Sequence, residues 1–163
     1  MELFKLLAEL GINFQRLEHA AVYTVEESRQ LRIFERLNGT ACKNLFLRSK
    51  RGDFFLLTLP AEKRADLKLV SKLLNLPRLS FASEEELEKI LGLHTGAVTP
   101  LGIVNDAQKK VRLIIDAELD GKKLLLHPNT NTATIALDFA DLVKIIRHTQ
   151  HEYFLPSLPA AAT

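Results

Sequence analysis

The chain has 163 residues, of which 47% are hydrophobic and 26% are charged, and its formal net charge is +2. This length supports one domain with a substantial core, the single cysteine, Cys42, excludes an internal disulfide, and the net charge is too small to indicate a nucleic-acid-binding protein by itself. Because no apolar run approaches the ~18 residues of a membrane span and the N-terminal segment lacks the pattern of a signal peptide, we expect a cytoplasmic protein with no membrane partner.

Caps, periodicity and turn residues place the elements of the first half of the chain. The predicted elements are a helix over residues 2–10, a strand over 12–19, a helix from Thr24 to about Gly39, and two strands over 44–49 and 53–59. Thr24 and Glu27 form the capping-box pattern that opens the second helix. The turn sequence KRGD joins the two strands, which predicts a hairpin.

The same signals place the elements of the second half. They are a helix between Asp66 and Pro77, a strand over 79–82, a helix from Ser83 to Gly92, a loop over 96–104 that runs into a strand, strands over 111–119, 122–127 and 132–137, and a helix from Asp138 to about His148. The first of these helices should turn Val70 and Leu73 inward. Asp120-Gly121 predicts a hairpin.

This order of helices and strands predicts an α/β (mixed α+β) fold with much antiparallel pairing. We place a single domain at residues 1–155. The tail over residues 156–163 has no periodicity, and we expect it to be frayed.

Several common kinds of site are missing from the sequence, which contains no dinucleotide-binding, Walker, nucleophile-elbow or H-E-x-x-H motif. Cys42 stands at the start of a predicted strand, where a lone thiol indicates packing rather than nucleophilic chemistry. His148 and His151 lie three residues apart near a helix end, but no third ligand is close in sequence. We therefore expect no metal and no cofactor.

Lys43 is the first residue with a chemical interpretation. Strand alternation places it on the same face as Leu45 and Leu47. Either its stem lies along the strand and its charge reaches water, or it holds a cation at the rim of an apolar pocket that this face of the strand lines. In such a pocket low dielectric strengthens the attraction of the cation for phosphate or carbonyl oxygens.

Two further places have a structural and a functional interpretation. The loop Gly96–Pro100 combines a glycine, which permits close approach of a ligand, with a proline that stiffens the exit. It is either an ordinary connection or a loop that presents backbone N–H groups to a substrate oxygen. His127 ends a strand before Pro128 and is either bonded to nearby backbone or a polar anchor in the same cavity as Lys43.

Basic residues cluster at four places, and each cluster has two interpretations. Any one cluster is typical of a solvated turn or helix face. Several of them on one rim would bind a phosphate backbone. The clusters lie at residues 48–51, 63–72, 109–112 and 122–123.

Five stretches follow one another in a characteristic order over about residues 15–147: HAAVYTVEE, CKNLFLR, ADLKLVSKLLN, LSFASEEELEKILGLHTGAVTPLGIVND and LLLHPNTNTATIAL. In this order the chain resembles the YbaK/prolyl-tRNA-synthetase-associated family of editing domains. Within that family it is most similar to the branch of free-standing Ala-tRNA(Pro) deacylases.

The resemblance implies a single domain with a mixed, largely antiparallel, barrel-like sheet flanked by helices. It also implies a site. The functional lysine of the family falls on Lys43. The substrate-binding positions fall on Asn44, Gly96, Ala97, Val98, Thr99, Pro100, His127, Tyr23 and Thr24.

The resemblance further implies a trans-editing hydrolase that cleaves the ester of mischarged Ala-tRNA(Pro) at the tRNA 3′ end. The expected partner is the acceptor end of tRNA(Pro), with prolyl-tRNA synthetase as a candidate second partner. No side-chain base is evident, so we expect a water assisted by the substrate itself. The alternatives are Cys-tRNA(Pro) or a Ser- or Thr-charged tRNA as substrate, a non-catalytic module that binds tRNA or a synthetase, and a small-molecule hydrolase.

Overall fold

The computed structural model describes residues 2–160, and within them the chain forms eight strands, six α-helices and two 3₁₀ helices. The strands are β1 (Gln15–Glu18), β2 (Thr40–Ser49), β3 (Phe54–Pro60), β4 (Leu79–Phe81), β5 (Val111–Ile115), β6 (Lys123–Leu126), β7 (Ala133–Asp138) and β8 (Tyr153–Phe154). The α-helices are α1 (Leu3–Glu9), α2 (Val25–Gln30), α3 (Ile33–Arg36), α4 (Leu67–Leu73), α5 (Glu84–Leu91) and α6 (Phe139–His148). The 3₁₀ helices are Pro100–Asn105 and Ala117–Leu119.

The strands form one mixed sheet in the order β1-β7-β6-β2-β3-β5-β8, with β4 paired to β2. The pairs β1–β7, β7–β6, β2–β3 and β2–β4 are antiparallel, and the pairs β6–β2, β3–β5 and β5–β8 are parallel. The hairpin of β2 and β3 forms as predicted, as does the pair of β6 and β7. The predicted mixed α/β fold is confirmed.

Helices cover the sheet because each has an apolar face that the strands bury. The largest apolar cluster joins α1 and α6 to β5, β6 and β7. A second cluster places α4 against β2 and β3, with Val70 inside it, and a third places α5 over β3 around Leu87. Leu73, predicted to turn inward, is 50% exposed, because the buried side of α4 is the one that carries Val70 and Ser71.

Three of the predicted helix starts are confirmed by their caps. The Thr24 hydroxyl accepts from the Glu27 N–H, and the Asp66 carboxylate accepts from the Leu69 N–H. Ser83 begins α5 with both halves of a capping box. The helix after Thr24 is shorter than predicted.

Two predicted elements differ in shape. The helix predicted from Thr24 to Gly39 is broken at Arg32, whose φ of 57° ends one helix and reorients the next so that Ile33 is fully buried. The strand predicted after the loop 96–104 is instead the 3₁₀ helix that begins at Pro100, whose ring fixes a helical φ.

The hairpin predicted at Asp120-Gly121 is wrong. β5 is paired on both edges, by β3 and β8, so it has no edge for β6. The tail also differs from the prediction, since Leu158 is 8% exposed and its carbonyl accepts from the Lys63 ammonium. The packed chain therefore continues past residue 155 to Leu158. Residues 161–163 of the predicted tail lie outside the described residues.

Candidate active site

A gap opens along one edge of β2. There β2 pairs with β6 through Thr40 and Ala41, and with β4 through Leu47–Ser49. Between these two contacts, residues 42–45 have no ladder partner on this edge among residues 2–160. Because β6 diverges from β2 after Ala41, the two strands leave a wedge-shaped space between them.

A cavity of about 280 Å³ fills this wedge. Its volume is just below the range for small-molecule sites, which begins near ~300 Å³. The lining consists of Tyr23, Thr24, Val25, Ser28, Phe34, Cys42, Lys43, Asn44, Thr95, Gly96, Val98, Leu125, Leu126, His127 and Thr134. The structure therefore brings together the predicted site residues Lys43, Asn44, Gly96, Val98, His127, Tyr23 and Thr24.

Three residues of the predicted site do not line the cavity. Ala97, Thr99 and Pro100 belong to the loop, but they are buried. The Ala97 N–H donates to the His94 carbonyl over 3.0 Å, and the Thr99 hydroxyl accepts from the Leu101 N–H over 3.3 Å. These three residues therefore fix the shape of the loop, and the other two loop residues, Gly96 and Val98, line the cavity.

The Lys43 ammonium lies at the rim of the cavity in a half-buried position. Burial lowers the pKa of Lys43 because the ammonium loses hydration, the charge of Arg64 lowers it further, and Glu62 opposes both effects. An anionic group placed beside this ammonium would offset its lost hydration and its repulsion by Arg64. The ammonium at the rim therefore favours an anionic group in the cavity.

The apolar face of β2 does not continue into the cavity, contrary to the expectation from strand alternation. Leu45 and Leu47 pack with β3 and α4. The cavity is lined instead by the consecutive residues Cys42, Lys43 and Asn44. Since consecutive residues of a strand point to opposite faces, the cavity lies beyond the edge of β2 rather than over either face.

Asn44 is held in one orientation by a buried threonine. The hydroxyl of Thr58, which is fully buried, donates to Asn44 Oδ1 over 2.7 Å. The side-chain oxygen is thus occupied as an acceptor, and the amide NH₂ remains as the donor that Asn44 offers the cavity.

Gly96 brings three segments of the chain into contact. Its φ is +92°, and a Cβ at this position would lie 2.7 Å from Tyr23 Cδ1 and 3.3 Å from the Val22 carbonyl oxygen. The same carbonyl accepts from Asn131 Nδ2 over 2.9 Å. Tyr23 itself is 63% exposed. Glycine is therefore required for this close approach, and it seats the Tyr23 ring at the mouth of the cavity.

His127 presents one ring nitrogen as an acceptor. Its Nδ1 lies 3.0 Å from the Ala133 carbonyl oxygen, which only accepts, so Nδ1 carries the proton. Burial lowers the pKa of His127, the bond to Ala133 opposes this, and the neighbouring His19 lowers it further. The neutral ring is thereby favoured, with Nε2 as a hydrogen-bond acceptor.

The cavity contains no activated nucleophile among the described residues that line it. Burial raises the pKa of the Cys42 thiol to about 12, so the thiolate that nucleophilic chemistry needs is not formed near neutral pH. No aspartate or glutamate lines the cavity within residues 2–160. The interpretation of Cys42 as a packing residue agrees with this environment.

One member of the histidine pair near the end of α6, His151, has a structural partner. His151 is buried, and its Nε2 lies 3.0 Å from Asp106 Oδ2. Asp106 also accepts from the backbone N–H groups of Lys110 and Val111. Within residues 2–160 no group of three or more histidine, cysteine or acidic side chains is arranged to hold a metal ion.

The comparison with protein families decides which family the chain represents. The model of the family described as "Aminoacyl-tRNA editing domain" matches residues 19–145. The chain belongs to the aminoacyl-tRNA editing domain family. The match begins at His19 and includes every residue that lines the cavity. The predicted family and the predicted class of enzyme, an aminoacyl-tRNA deacylase, are confirmed.

Relatives of this editing domain extend over nearly its whole length. The Prolyl-tRNA editing protein ProX of Acetoanaerobium sticklandii is 40% identical over 143 residues, which cover 86% of each chain. The Prolyl-tRNA synthetase associated domain-containing protein 1 of Danio rerio is 35% identical over 153 residues, covering 92% of this chain and 82% of that protein. A solved structure described as a "putative trans-editing enzyme for prolyl tRNA synthetase" shares the fold, with a TM-score of 0.69, 19% identity and 94% and 92% coverage.

The helices of the editing domain fall short of a membrane span. None of those in the described part of the chain is both long enough and apolar enough to cross a bilayer.

Several residues of the site were not predicted from the sequence. Thr134 lines the cavity from β7, and Thr95, Ser28 and Phe34 line it from loops and helices. His19 lies behind Thr134 and bonds to it. For His19 and Thr134 the only signal was the composition of the stretches HAAVYTVEE and LLLHPNTNTATIAL, which does not distinguish lining residues from their neighbours.

Proposed function

We propose that the editing domain hydrolyses the ester of alanyl-tRNA(Pro) as a separate protein acting in trans. The observation that carries this proposal is the small cavity that holds Lys43, Asn44, Gly96 and His127 together. Support for the prolyl system comes from the relative named Prolyl-tRNA editing protein ProX, 86% of which the chain spans. The acceptor end of tRNA(Pro) is the proposed partner, and prolyl-tRNA synthetase is a candidate for a second.

Selection by size supports alanine as the substrate. A synthetase pocket built for proline cannot exclude the smaller alanine, because a missing methylene changes binding by only ~1–3 kcal/mol. A second site that admits alanine and rejects proline completes the discrimination. Phe34, Leu125 and Leu126 form apolar walls of the cavity, and these walls are the proposed limit on the size of the side chain that is admitted.

The substrate oxygens face the donors on β2. Lys43 attracts a phosphate of the terminal nucleotide or the ester oxygens, and the amide NH₂ of Asn44 donates to the same region. Gly96 and Val98 line the cavity from the loop, and their backbone N–H groups make no hydrogen bond to another residue within 2–160. These N–H groups are the proposed donors to the oxyanion that forms during ester hydrolysis.

The proposed nucleophile is a water molecule. The thiol of Cys42 remains protonated, and the described lining contains no carboxylate to act as a base. A ribose hydroxyl beside the ester is therefore the proposed group that orients the attacking water. The aminoacyl ester is already labile, so positioning and electrostatic stabilisation suffice.

A panel of charged tRNAs tests the proposal. Purified protein is incubated with tRNA(Pro) carrying alanine, cysteine, serine or proline, and the release of each amino acid is followed. We expect alanyl-tRNA(Pro) to be hydrolysed fastest and prolyl-tRNA(Pro) not to be hydrolysed. Faster release of cysteine or serine would overturn the choice of alanine. Stoichiometric binding with no release from any tRNA would overturn the proposed catalysis.

A further inference from the structure

The polar groups of the cavity divide into a donor side and an acceptor side. On β2, Lys43 and Asn44 present an ammonium and an amide NH₂. At the end of β6, His127 presents Nε2 as an acceptor, because its Nδ1–H is bonded to the Ala133 carbonyl. An aminoacyl ester has the complementary division, since its carbonyl and ester oxygens accept hydrogen bonds and its α-amino group donates them.

Thr134 adds a second acceptor beside His127. It lines the cavity from β7 and is 4% exposed. Its Oγ1 lies 2.8 Å from Nε2 of His19, and Nδ1 of His19 lies 2.8 Å from the Ala20 carbonyl oxygen. Since a carbonyl only accepts, Nδ1 carries the proton of the neutral imidazole and Nε2 accepts. The Thr134 hydroxyl therefore donates to His19, and its oxygen keeps its lone pairs for another donor.

We propose that Thr134 accepts a hydrogen bond from the α-amino group of the bound aminoacyl ester, and that His19 is the positioning residue that holds Thr134 as an acceptor. His19 is not among the residues that line the cavity, so it acts through Thr134. The inference rests on the proposed function, because it requires an aminoacyl ester in the cavity.

This assignment fixes the direction of the substrate in the site. With the α-amino group at Thr134 and His127, the scissile carbonyl lies on the side of Lys43 and Asn44. The alanine methyl then faces the apolar walls that the cavity also contains. A substrate turned end for end would place its amino group against the Lys43 ammonium, where like charges repel.

The test compares two substrates of nearly equal size. Lactyl-tRNA(Pro) carries a hydroxyl where alanyl-tRNA(Pro) carries the α-amino group. The kcat/KM of each ester is divided by its spontaneous hydrolysis rate. The measured ratio is this quotient for alanyl-tRNA(Pro) divided by the quotient for lactyl-tRNA(Pro). We expect the wild-type ratio to favour alanyl-tRNA(Pro) by about tenfold, because hydrogen bonds from charged donors are roughly twice as strong as neutral ones.

Two variants remove the proposed acceptor or its positioning residue. Thr134→Val keeps the shape of the side chain and removes the oxygen, and His19→Leu removes the acceptor that orients the hydroxyl. Each should lower the ratio by at least about threefold, with His127 left as the acceptor for the α-amino group. The matched controls are Thr134→Ser, which keeps a hydroxyl oxygen to accept from the α-amino group, and His19→Gln, whose amide oxygen can accept from the Thr134 hydroxyl. Both controls should keep the wild-type ratio. Since both substrates are assayed on one preparation, partial unfolding cancels from the ratio.

The outcomes separate this inference from the proposed function. If the wild type hydrolyses alanyl-tRNA(Pro) but Thr134→Val keeps the wild-type ratio, the assignment of Thr134 is overturned and the proposed function stands. If His19→Leu keeps the ratio while Thr134→Val loses it, the role of His19 is overturned. If the wild type hydrolyses no alanyl-tRNA(Pro), the proposed function fails and this inference fails with it.

Discussion

Replacing Gly96 by alanine should disturb the site through one close contact. The added Cβ would lie 2.7 Å from Tyr23 Cδ1 and 3.3 Å from the Val22 carbonyl, and the φ of +92° is unfavourable for any L side chain. Gly121→Ala is the matched control, because Gly121 has a φ of +79° but nothing within 4 Å of the position of its Cβ. The pair separates backbone strain from steric overlap.

The magnitudes follow from these two effects. Left-handed backbone costs a residue with a Cβ about 1–2 kcal/mol, and both variants bear this cost. Only Gly96→Ala must also displace the Tyr23 ring or the backbone behind it, and such overpacking costs about 1–3 kcal/mol. We therefore expect Gly96→Ala to lower the free energy of unfolding by about 2–5 kcal/mol and Gly121→Ala by about 1–2 kcal/mol.

Urea denaturation measures both losses, and deacylation of alanyl-tRNA(Pro) measures the effect on the site. Gly96→Ala should lose activity by about tenfold or more because the mouth of the cavity is rearranged, whereas Gly121→Ala should keep it. Adding Tyr23→Ala to Gly96→Ala should restore part of the stability by making room for the methyl group. Equal losses of stability and equal activity in the two alanine variants would refute the reasoning.

Three further predictions concern charge, substrate and core. Lys43→Ala should lower kcat/KM for alanyl-tRNA(Pro) by about a hundredfold, or about 2.7 kcal/mol, with an unchanged melting temperature; near-wild-type turnover would remove the proposed role. Alanyl-tRNA(Pro) whose terminal ribose lacks the free hydroxyl should be hydrolysed about a hundredfold more slowly if that hydroxyl orients the water; an unchanged rate would point to a protein base. Asp106→Asn should lower the free energy of unfolding by about 2–3 kcal/mol in urea at pH 7. Although burial raises the pKa of Asp106, its bonds to His151 and to backbone N–H groups lower it below the ordinary 3.8. Its stabilisation is thus complete above that value and is lost as the pH falls through the lower folded pKa, so the variant and the wild type should converge in stability at the acidic end; a constant difference would contradict this.

Elements with local signals were predictable from the sequence, and elements set by distant contacts were not. The α5 helix was found because Ser83 and Glu86 bond to each other's backbone within one turn. The break at Arg32, where φ is 57°, precedes the fully buried Ile33, and helical periodicity does not report such a break. β8 has two residues and exists because β5 offers it an edge.

The same distinction applies to the candidate site. Lys43, the glycine loop and His127 were singled out by residue type, the family resemblance selected their functional interpretation, and the fold brings them to one cavity. Thr134 is an ordinary strand residue in sequence, and its bond to His19 spans 115 positions. The expectation that Lys43 follows an apolar face also failed to locate the cavity, since strand alternation describes faces and the space lies beyond an edge.

The junction between β2 and β6 consists of two residue pairs, whereas β2 and β3 share seven. The two pairs at Thr40 and Ala41 set how far apart the walls of the wedge stand. Their partners on β6, Leu124 and Leu125, are buried in two of the apolar clusters. A side-chain change at this junction should therefore alter the width of the cavity and the packing of the core together. Selectivity and stability are thus coupled at one point of the sheet.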